Sequence, residues 1–130
     1  TPNIPEAEAL TGHKISTIED MKAAAYDLLD TGVEAVLVKG GHLVGPEVSD
    51  ILVSLKGECV VTSSRIDTRH THGTGCTLAS AMAAYLSVGK SLEEAFERSH
   101  DFVHNAIKAA PGFGAGHGPL GHARVRAEID

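Results

Sequence analysis

The spacing of apolar residues along the chain predicts helices that alternate with a small group of strands. Four segments have the helical apolar spacing, the alanine content or the first-turn proline that is typical of helices: residues 6–10, 18–29, 75–88 and 92–107. Ser16 with Glu19 and Ser91 with Glu94 have the spacing of capping boxes, so they predict where the second and fourth helices begin. A glycine follows each of the first three segments and predicts where it ends.

The remaining apolar runs predict strands. Residues 35–38, Ala-Val-Leu-Val, form a continuous β-prone run without alternation, which is typical of a strand buried on both faces. Residues 50–55 and 58–63 predict two further strands, which Lys56 and Gly57 join into a hairpin. This order of helices and strands indicates an α/β fold. Because no internal repeat or linker divides the 130 residues, one domain is expected.

Composition restricts the classes of partner. The chain has 11 basic and 17 acidic residues and a formal net charge of −6, which argues against nucleic acid or an anionic membrane as the main partner. Two cysteines without a framework spacing, Cys59 and Cys76, favour a reducing, cytoplasmic compartment. No apolar run approaches the ~18 residues of a membrane span, and no signal peptide is recognisable.

The clearest chemistry lies in residues 70–77, His-Thr-His-Gly-Thr-Gly-Cys-Thr, directly before the alanine-rich helix. Glycines allow a phosphate to approach the backbone closely, and free N–H groups at a helix start attract an anion. Cys76 is expected in the first turn, where a thiolate is favoured, and is a candidate base or nucleophile. The alternative is a glycine turn before a core helix with a buried cysteine, and this segment alone leaves both interpretations open.

Two other segments carry candidate phosphate or metal ligands. Lys39 follows the buried strand and precedes two glycines, a position suited to reaching a phosphate, and a solvated lysine explains the same pattern. Glu6 is either a stabilising acid in the first turn of a helix or a carboxylate beside a hydrated magnesium ion. His100 and His104 are four residues apart on a helix but lack an obvious third ligand, so a zinc site is disfavoured.

In this order along the chain, residues 1–8, 38–42, 71–77 and 116–119 closely resemble the carboxyl-terminal half of hydroxymethylpyrimidine/phosphomethylpyrimidine kinases. These are the thiamine-biosynthesis members of the ribokinase-like superfamily. The resemblance spans essentially all 130 residues, and Thr-His-Gly-Thr-Gly-Cys is its most specific part. It implies an α/β fold, a three-layer α/β/α sandwich, in which residues 1–130 are the ATP-binding and anion-hole part of a single domain. Because the chain begins Thr-Pro-Asn without an initiator methionine, we expect the amino-terminal half of that domain to be absent.

The resemblance also implies an activity. The implied reaction is ATP-dependent phosphorylation of 4-amino-5-hydroxymethyl-2-methylpyrimidine and then of its monophosphate, with ATP and Mg²⁺ as cofactors. The resemblance also implies a cytoplasmic protein that forms a homodimer at full length. A pyridoxal kinase of the same superfamily and a truncated, non-catalytic nucleotide-binding module remain as alternatives, since the residues that choose the acceptor belong to the other half. A sugar kinase is disfavoured because such enzymes usually carry aspartate where Cys76 stands.

The resemblance implies a role for each residue at a matching position. It implies that Cys76 is the catalytic residue near the acceptor oxygen and that Glu6 organises magnesium, through water. It places the anion hole at three residues: Gly73, Thr74 and Gly75. It places ATP and phosphate binding at four residues: Asn3, Lys39, Gly41 and His117. One position departs from the family pattern, because His70 stands where asparagine is expected.

Overall fold

The chain divides into two units, the first of which is Thr1–Arg65. This unit consists of a three-stranded antiparallel sheet and two helices. The computed structural model describes residues 1–127. The elements of unit 1 are α1 (Ile4–Thr11), α2 (Ile18–Leu29), β1 (Ala35–Val38), β2 (Glu47–Ser54) and β3 (Gly57–Ser64). The strands lie in the order β1-β2-β3, and Leu52 of β2 pairs with Leu37 on one side and Cys59 on the other.

Both faces of β1 are buried, as its unalternating apolar run predicts. Val36 and Val38 point to one face, where they join a core shared with α1, α2 and β2. Leu37 points to the other face and is buried together with its cross-strand partner Leu52. The core of unit 1 consists of these residues: Ile4, Ala7, Ile15, Met21, Ala24, Ala25, Val36, Val38, Ile51 and Val53.

The second unit, Ile66–Asp130, is built from two packed helices and a long carboxyl-terminal segment. Its elements are α3 (Thr74–Ser87), α4 (Leu92–Lys108) and a short 3-10 turn at His122–Arg124. In the apolar stripe of α4, Ala95, Phe96, Val103 and Ala106 are buried, and Phe96 is fully enclosed. Among the described helices, none has the length and apolar character needed to cross a bilayer.

The start of α2 differs from the prediction by one residue. Thr17, not Ser16, is the capping residue: its backbone is extended, and its hydroxyl accepts from the Asp20 N–H at 3.1 Å. Asp20 completes the box in place of Glu19, and its carboxylate accepts from the Ser16 hydroxyl at 3.0 Å. The Ser16 N–H is the main cause that lowers the pKa of Asp20, followed by the hydroxyls of Thr17 and Ser16. Two adjacent hydroxyl residues both suit a cap, and only the backbone angles decide between them.

The other predicted boundaries hold to within a few residues. Ser91 and Glu94 form the predicted capping box of α4, and β2 and β3 form the predicted hairpin. α1 begins at Ile4 rather than at residue 6 because Asn3 supplies its cap. β2 begins at Glu47 rather than at residue 50 because its ladder with β3 runs to the end of both strands.

Candidate active site

The amino terminus of α3 differs from those of the other described α-helices. Each of α1, α2 and α4 begins with a capping box and has an acidic residue in its first turn. The capping position of α3 is Gly73, whose backbone is left-handed (φ 87°). No side chain of residues 1–127 caps the helix, and its first turn has no acid. Gly75 and Cys76 lie in that turn. Because first-turn N–H groups have no intrahelical acceptor, this end presents positive partial charge to an anion.

Hydrogen bonds fix the backbone around this helix start. The Gly73 carbonyl accepts from both the N–H and the hydroxyl of Thr77, each at 2.8 Å. The Thr74 hydroxyl donates to the Thr71 carbonyl at 2.7 Å and closes the turn before the helix. Cys76 follows with its side chain exposed. The predicted catalytic cysteine and the predicted anion-hole residues therefore lie at one helix end, with the Thr74 hydroxyl engaged by the backbone.

The glycine-rich segment around His117 packs against the loop that leads into α3. His72 and Pro119 form a parallel β-bridge, in which the His72 N–H donates to the Gly118 carbonyl at 3.2 Å. His117 Nδ1 lies 3.0 Å from the Arg69 carbonyl, which only accepts, so this ring nitrogen carries the proton and donates. Unit 2 therefore brings the predicted ATP-binding His117 against the segment that precedes the anion hole.

His70 holds the same glycine-rich segment through its side chain. Its Nδ1 accepts from the Gly118 N–H at 3.2 Å, which requires that Nδ1 carry no proton. Gly118 is buried, and a Cβ there would overlap the His70 ring and press on the Phe113 carbonyl. An asparagine at position 70 would offer Oδ1 as an acceptor in the same region. The asparagine that the resemblance predicts at this position would thus also supply an acceptor.

In unit 1, Asn3 and Glu6 meet in the capping box of α1. Asn3 Oδ1 accepts from the Glu6 N–H at 2.9 Å, and the Asn3 N–H donates to Glu6 Oε2 at 2.7 Å. Lys39 pairs with Asn3 in a parallel β-bridge, and its N–H donates to the Pro2 carbonyl at 2.9 Å. Three of the predicted ligand residues are therefore neighbours in this unit, with Asn3 paired to each of the other two.

The two glycines after Lys39 have different surroundings. The Gly40 N–H donates to Asp50 Oδ1 at 2.9 Å, and a Cβ on Gly40 would overlap the carbonyl oxygen of Ser49. Gly40 is therefore required for close packing against β2. A Cβ on Gly41 would meet no described atom within 4 Å. Of the two, Gly41 is the glycine with open space beside its backbone, at the position predicted to bind phosphate.

Arg65 is a residue that the sequence patterns do not single out. Its guanidinium donates to three carbonyls of the loop after Lys39: Gly45 at 2.8 Å, Gly41 at 3.0 Å and Leu43 at 2.5 Å. A planar fork of donors suits several carbonyls at once. Arg65 therefore fixes the loop that carries Gly41. A single arginine after a strand belongs to no spacing pattern in the sequence that would predict this contact.

Glu6 is suited to a metal ion that retains most of its water. Its carboxylate is exposed, and Mg²⁺ is commonly held through one or two carboxylates together with substrate phosphates. Within residues 1–127, no group of three or more His, Cys, Asp or Glu side chains is positioned to hold a metal ion. On α4, partial burial lowers the pKa of His104, with smaller contributions from Lys108 and His100.

A cleft of about 680 Å³ lies along α3 in unit 2. It is lined by residues of α3 from Cys76 to Val88, by Phe102 of α4 and by His122 of the carboxyl-terminal segment. Sites for small molecules typically have volumes of about 300–1,000 Å³. Cys76 therefore borders a cleft of the size of such sites.

Solved structures show the class of protein to which this fold belongs. The chain matches a pyridoxal kinase from Staphylococcus aureus in complex with AMP-PCP, with a TM-score of 0.88 and 37% identity over 93% of this chain and 45% of that chain. It also matches a phosphomethylpyrimidine kinase from Clostridium difficile 630, with a TM-score of 0.67 and 42% identity over 82% of this chain and 41% of that chain. The fold is that of the ribokinase-like α/β kinases, as the resemblance implies.

Sequence comparison narrows this class to one family. The sequence profile of the phosphomethylpyrimidine kinase family matches residues 1–121, and the chain belongs to that family. A hydroxymethylpyrimidine/phosphomethylpyrimidine kinase from Bacillus subtilis (strain 168) is 45% identical over 94% of this chain and 45% of its own length. The thiamine biosynthesis bifunctional protein ThiED from Geobacter sulfurreducens is 48% identical over 99% of this chain and 26% of its own length. The chain thus spans about half of the first relative and a quarter of the second.

Substitution of His70 tests its role as an acceptor. We expect His70→Asn to retain the bond from the Gly118 N–H and His70→Leu to lose it, because leucine has no acceptor. Amide exchange at Gly118, measured by NMR, should be about tenfold faster in His70→Leu and nearly unchanged in His70→Asn. Equal protection of Gly118 in all three proteins would contradict the assignment.

Substitution of Arg65 tests whether it fixes the loop after Lys39. We expect Arg65→Lys to lose most of the three contacts, because one ammonium group cannot match a planar fork. Amide exchange across residues 41–47 should then rise by about tenfold. Arg126→Lys, a change at an exposed arginine, is the matched control and should leave this exchange unaltered. An unchanged loop in Arg65→Lys would show that the guanidinium contacts do not hold it.

Proposed function

We propose that this chain supplies the phosphate-binding part of an ATP-dependent kinase that phosphorylates 4-amino-5-hydroxymethyl-2-methylpyrimidine and then its monophosphate. The observation that carries the proposal is the start of α3, whose first turn has no acid and which no side chain of residues 1–127 caps. The kinase names of the Bacillus subtilis relative and of the matching family support the pyrimidine as acceptor. Residues 1–130 form part of one ribokinase-like domain in this proposal.

Phosphoryl transfer depends on positioning and charge stabilisation more than on covalent chemistry. We assign stabilisation of the transferred phosphoryl group to the N–H groups of the capping residue Gly73 and of the first-turn residues Thr74, Gly75 and Cys76. Of these, the Thr74 N–H also donates to the Thr71 carbonyl, at 3.3 Å. The Cys76 thiolate accepts the proton of the acceptor hydroxyl. The acceptor oxygen bonds to the γ-phosphorus as the bond from that phosphorus to ADP breaks.

The remaining predicted ligands hold ATP in this proposal. Lys39 supplies a positive charge to the phosphates, and the open backbone at Gly41 allows them to approach. Asn3 holds Glu6 in place through the capping box, and Glu6 organises magnesium through water. Magnesium neutralises charge on the ATP phosphates when it is bound. His117 contacts ATP from the glycine-rich segment.

A pyridoxal kinase is the second candidate, and one observation favours it. The pyridoxal kinase from Staphylococcus aureus in complex with AMP-PCP and pyridoxal has a TM-score of 0.88 with this chain. The phosphomethylpyrimidine kinase from Clostridium difficile has a TM-score of 0.67. Because a fold does not select its substrate, the two candidates share the phosphate site and differ in the acceptor.

A kinase assay at the protein's natural length tests the proposal. With ATP and Mg²⁺, we expect turnover of hydroxymethylpyrimidine and of its monophosphate, and little turnover of pyridoxal. Cys76→Ala should reduce kcat by about 10²–10⁴-fold, because the proton of the acceptor loses its base. Cys59→Ala, at the half-buried second cysteine on β3, is the matched control and should retain kcat.

Each outcome of this assay decides one assignment. Turnover of pyridoxal alone would replace the proposed acceptor with the second candidate. Tight ATP binding without turnover of any acceptor would support the non-catalytic nucleotide-binding module. Undiminished kcat in Cys76→Ala would remove the cysteine from the catalytic role.

A further inference from the structure

His122 contacts the helix start from a distant part of the sequence. Its Nε2 lies 2.8 Å from Oγ1 of Thr77, and the same oxygen lies 2.8 Å from the Gly73 carbonyl. Thr77 is buried and directly follows Cys76. A continuous chain of hydrogen bonds therefore runs from an imidazole in the carboxyl-terminal segment to the backbone at the start of α3.

The backbone that carries His122 is anchored on α4. The Gly121 N–H donates to the Ala106 carbonyl at 2.8 Å, and Gly121 is buried. A Cβ on Gly121 would overlap the carbonyl of Ala109, so the chain lies too close to the end of α4 for any side chain. The histidine that follows therefore extends from a fixed point rather than from a loose tail.

The directions of these two hydrogen bonds determine which ring nitrogen of His122 carries a proton. A carbonyl oxygen only accepts, so the single hydroxyl proton of Thr77 is donated to Gly73. The Thr77 oxygen then accepts from His122, and Nε2 must carry the proton. This arrangement satisfies both contacts, whereas a ring protonated only at Nδ1 would compete with Gly73 for the hydroxyl proton.

We propose that His122 is a positioning residue that holds Gly73 and the first turn of α3 in place through Thr77. It does not touch the transferred phosphoryl group in this proposal. It restrains the carbonyl of the residue whose left-handed backbone begins the helix, so that the first-turn N–H groups keep one direction. Its consequence for catalysis rests on the proposed kinase function, whereas its consequence for the structure does not.

Two substitutions of His122 distinguish the contribution of its N–H donor from that of its bulk. Glutamine places a side-chain N–H donor in the region of Nε2, whereas leucine has comparable bulk and no donor. The Thr77 N–H donates to the Gly73 carbonyl at 2.8 Å, so exchange of this amide reports on the restraint. We expect exchange at Thr77 to be about tenfold faster in His122→Leu and within about threefold of the parent in His122→Gln. Ala123→Leu, on the same 3-10 turn, is the matched control and should leave this exchange unchanged.

Thr77→Val tests the middle of the chain of bonds. Thr77→Val removes the bond to Gly73 and also the bond that His122→Leu breaks. The double change should therefore raise amide exchange at residue 77 no more than Thr77→Val alone. Additive effects of the two changes would overturn the proposal. So would a His122 ring whose ¹⁵N spectrum in the parent protein shows Nε2 without a proton.

The kinase assay at natural length adds a readout that separates this proposal from the proposed function. His122→Leu should reduce kcat by about tenfold with KM for ATP changed less than threefold, and His122→Gln should restore most of kcat. No turnover in the parent protein would reject the proposed function while exchange and ¹⁵N data still test the link. Full kcat in His122→Leu together with faster exchange would reject the positioning role.

Discussion

The left-handed backbone of Gly73 is the constraint on which the rest of the site depends. An L-residue in that conformation costs about 1–2 kcal/mol, so glycine is the natural residue at the point where the loop becomes α3. Within the described part of the chain, no side chain caps α3, in contrast to α1, α2 and α4. The proposed function uses this open helix end as the anion site, with Cys76 in its first turn.

Two histidines link the carboxyl-terminal segment to the start of α3 and to the loop before it. His70 accepts from the Gly118 N–H and holds the glycine-rich segment against the preceding loop. His122 donates to Thr77, which in turn holds the Gly73 carbonyl. One bond needs a ring nitrogen without a proton and the other needs a ring N–H, so the two rings act as acceptor and donor. The segment that follows α4 is therefore part of the site's scaffold.

Local patterns in the sequence predicted most elements, whereas contacts between distant residues escaped them. The run at residues 35–38 matched β1 in full, because continuous burial has a direct signature in composition. The cap of α2 was predicted at Ser16 and lies at Thr17, because a sequence pattern does not show which of two adjacent hydroxyl residues takes the backbone angles of a cap. Arg65 and His122 were missed as scaffold residues, since single side chains that bind remote carbonyls or hydroxyls leave no spacing to recognise.

A titration of the ¹⁵N-labelled chain with inorganic phosphate, at constant ionic strength against chloride, tests the central claim most directly. If the start of α3 is an anion site, the amide resonances of Gly73, Thr74, Gly75 and Cys76 will move together along one saturating curve. The first turns of α2 and α4 will remain still, because capping boxes occupy them. Phosphate shifts that avoid α3, or that spread equally over α2, α3 and α4, would contradict the account.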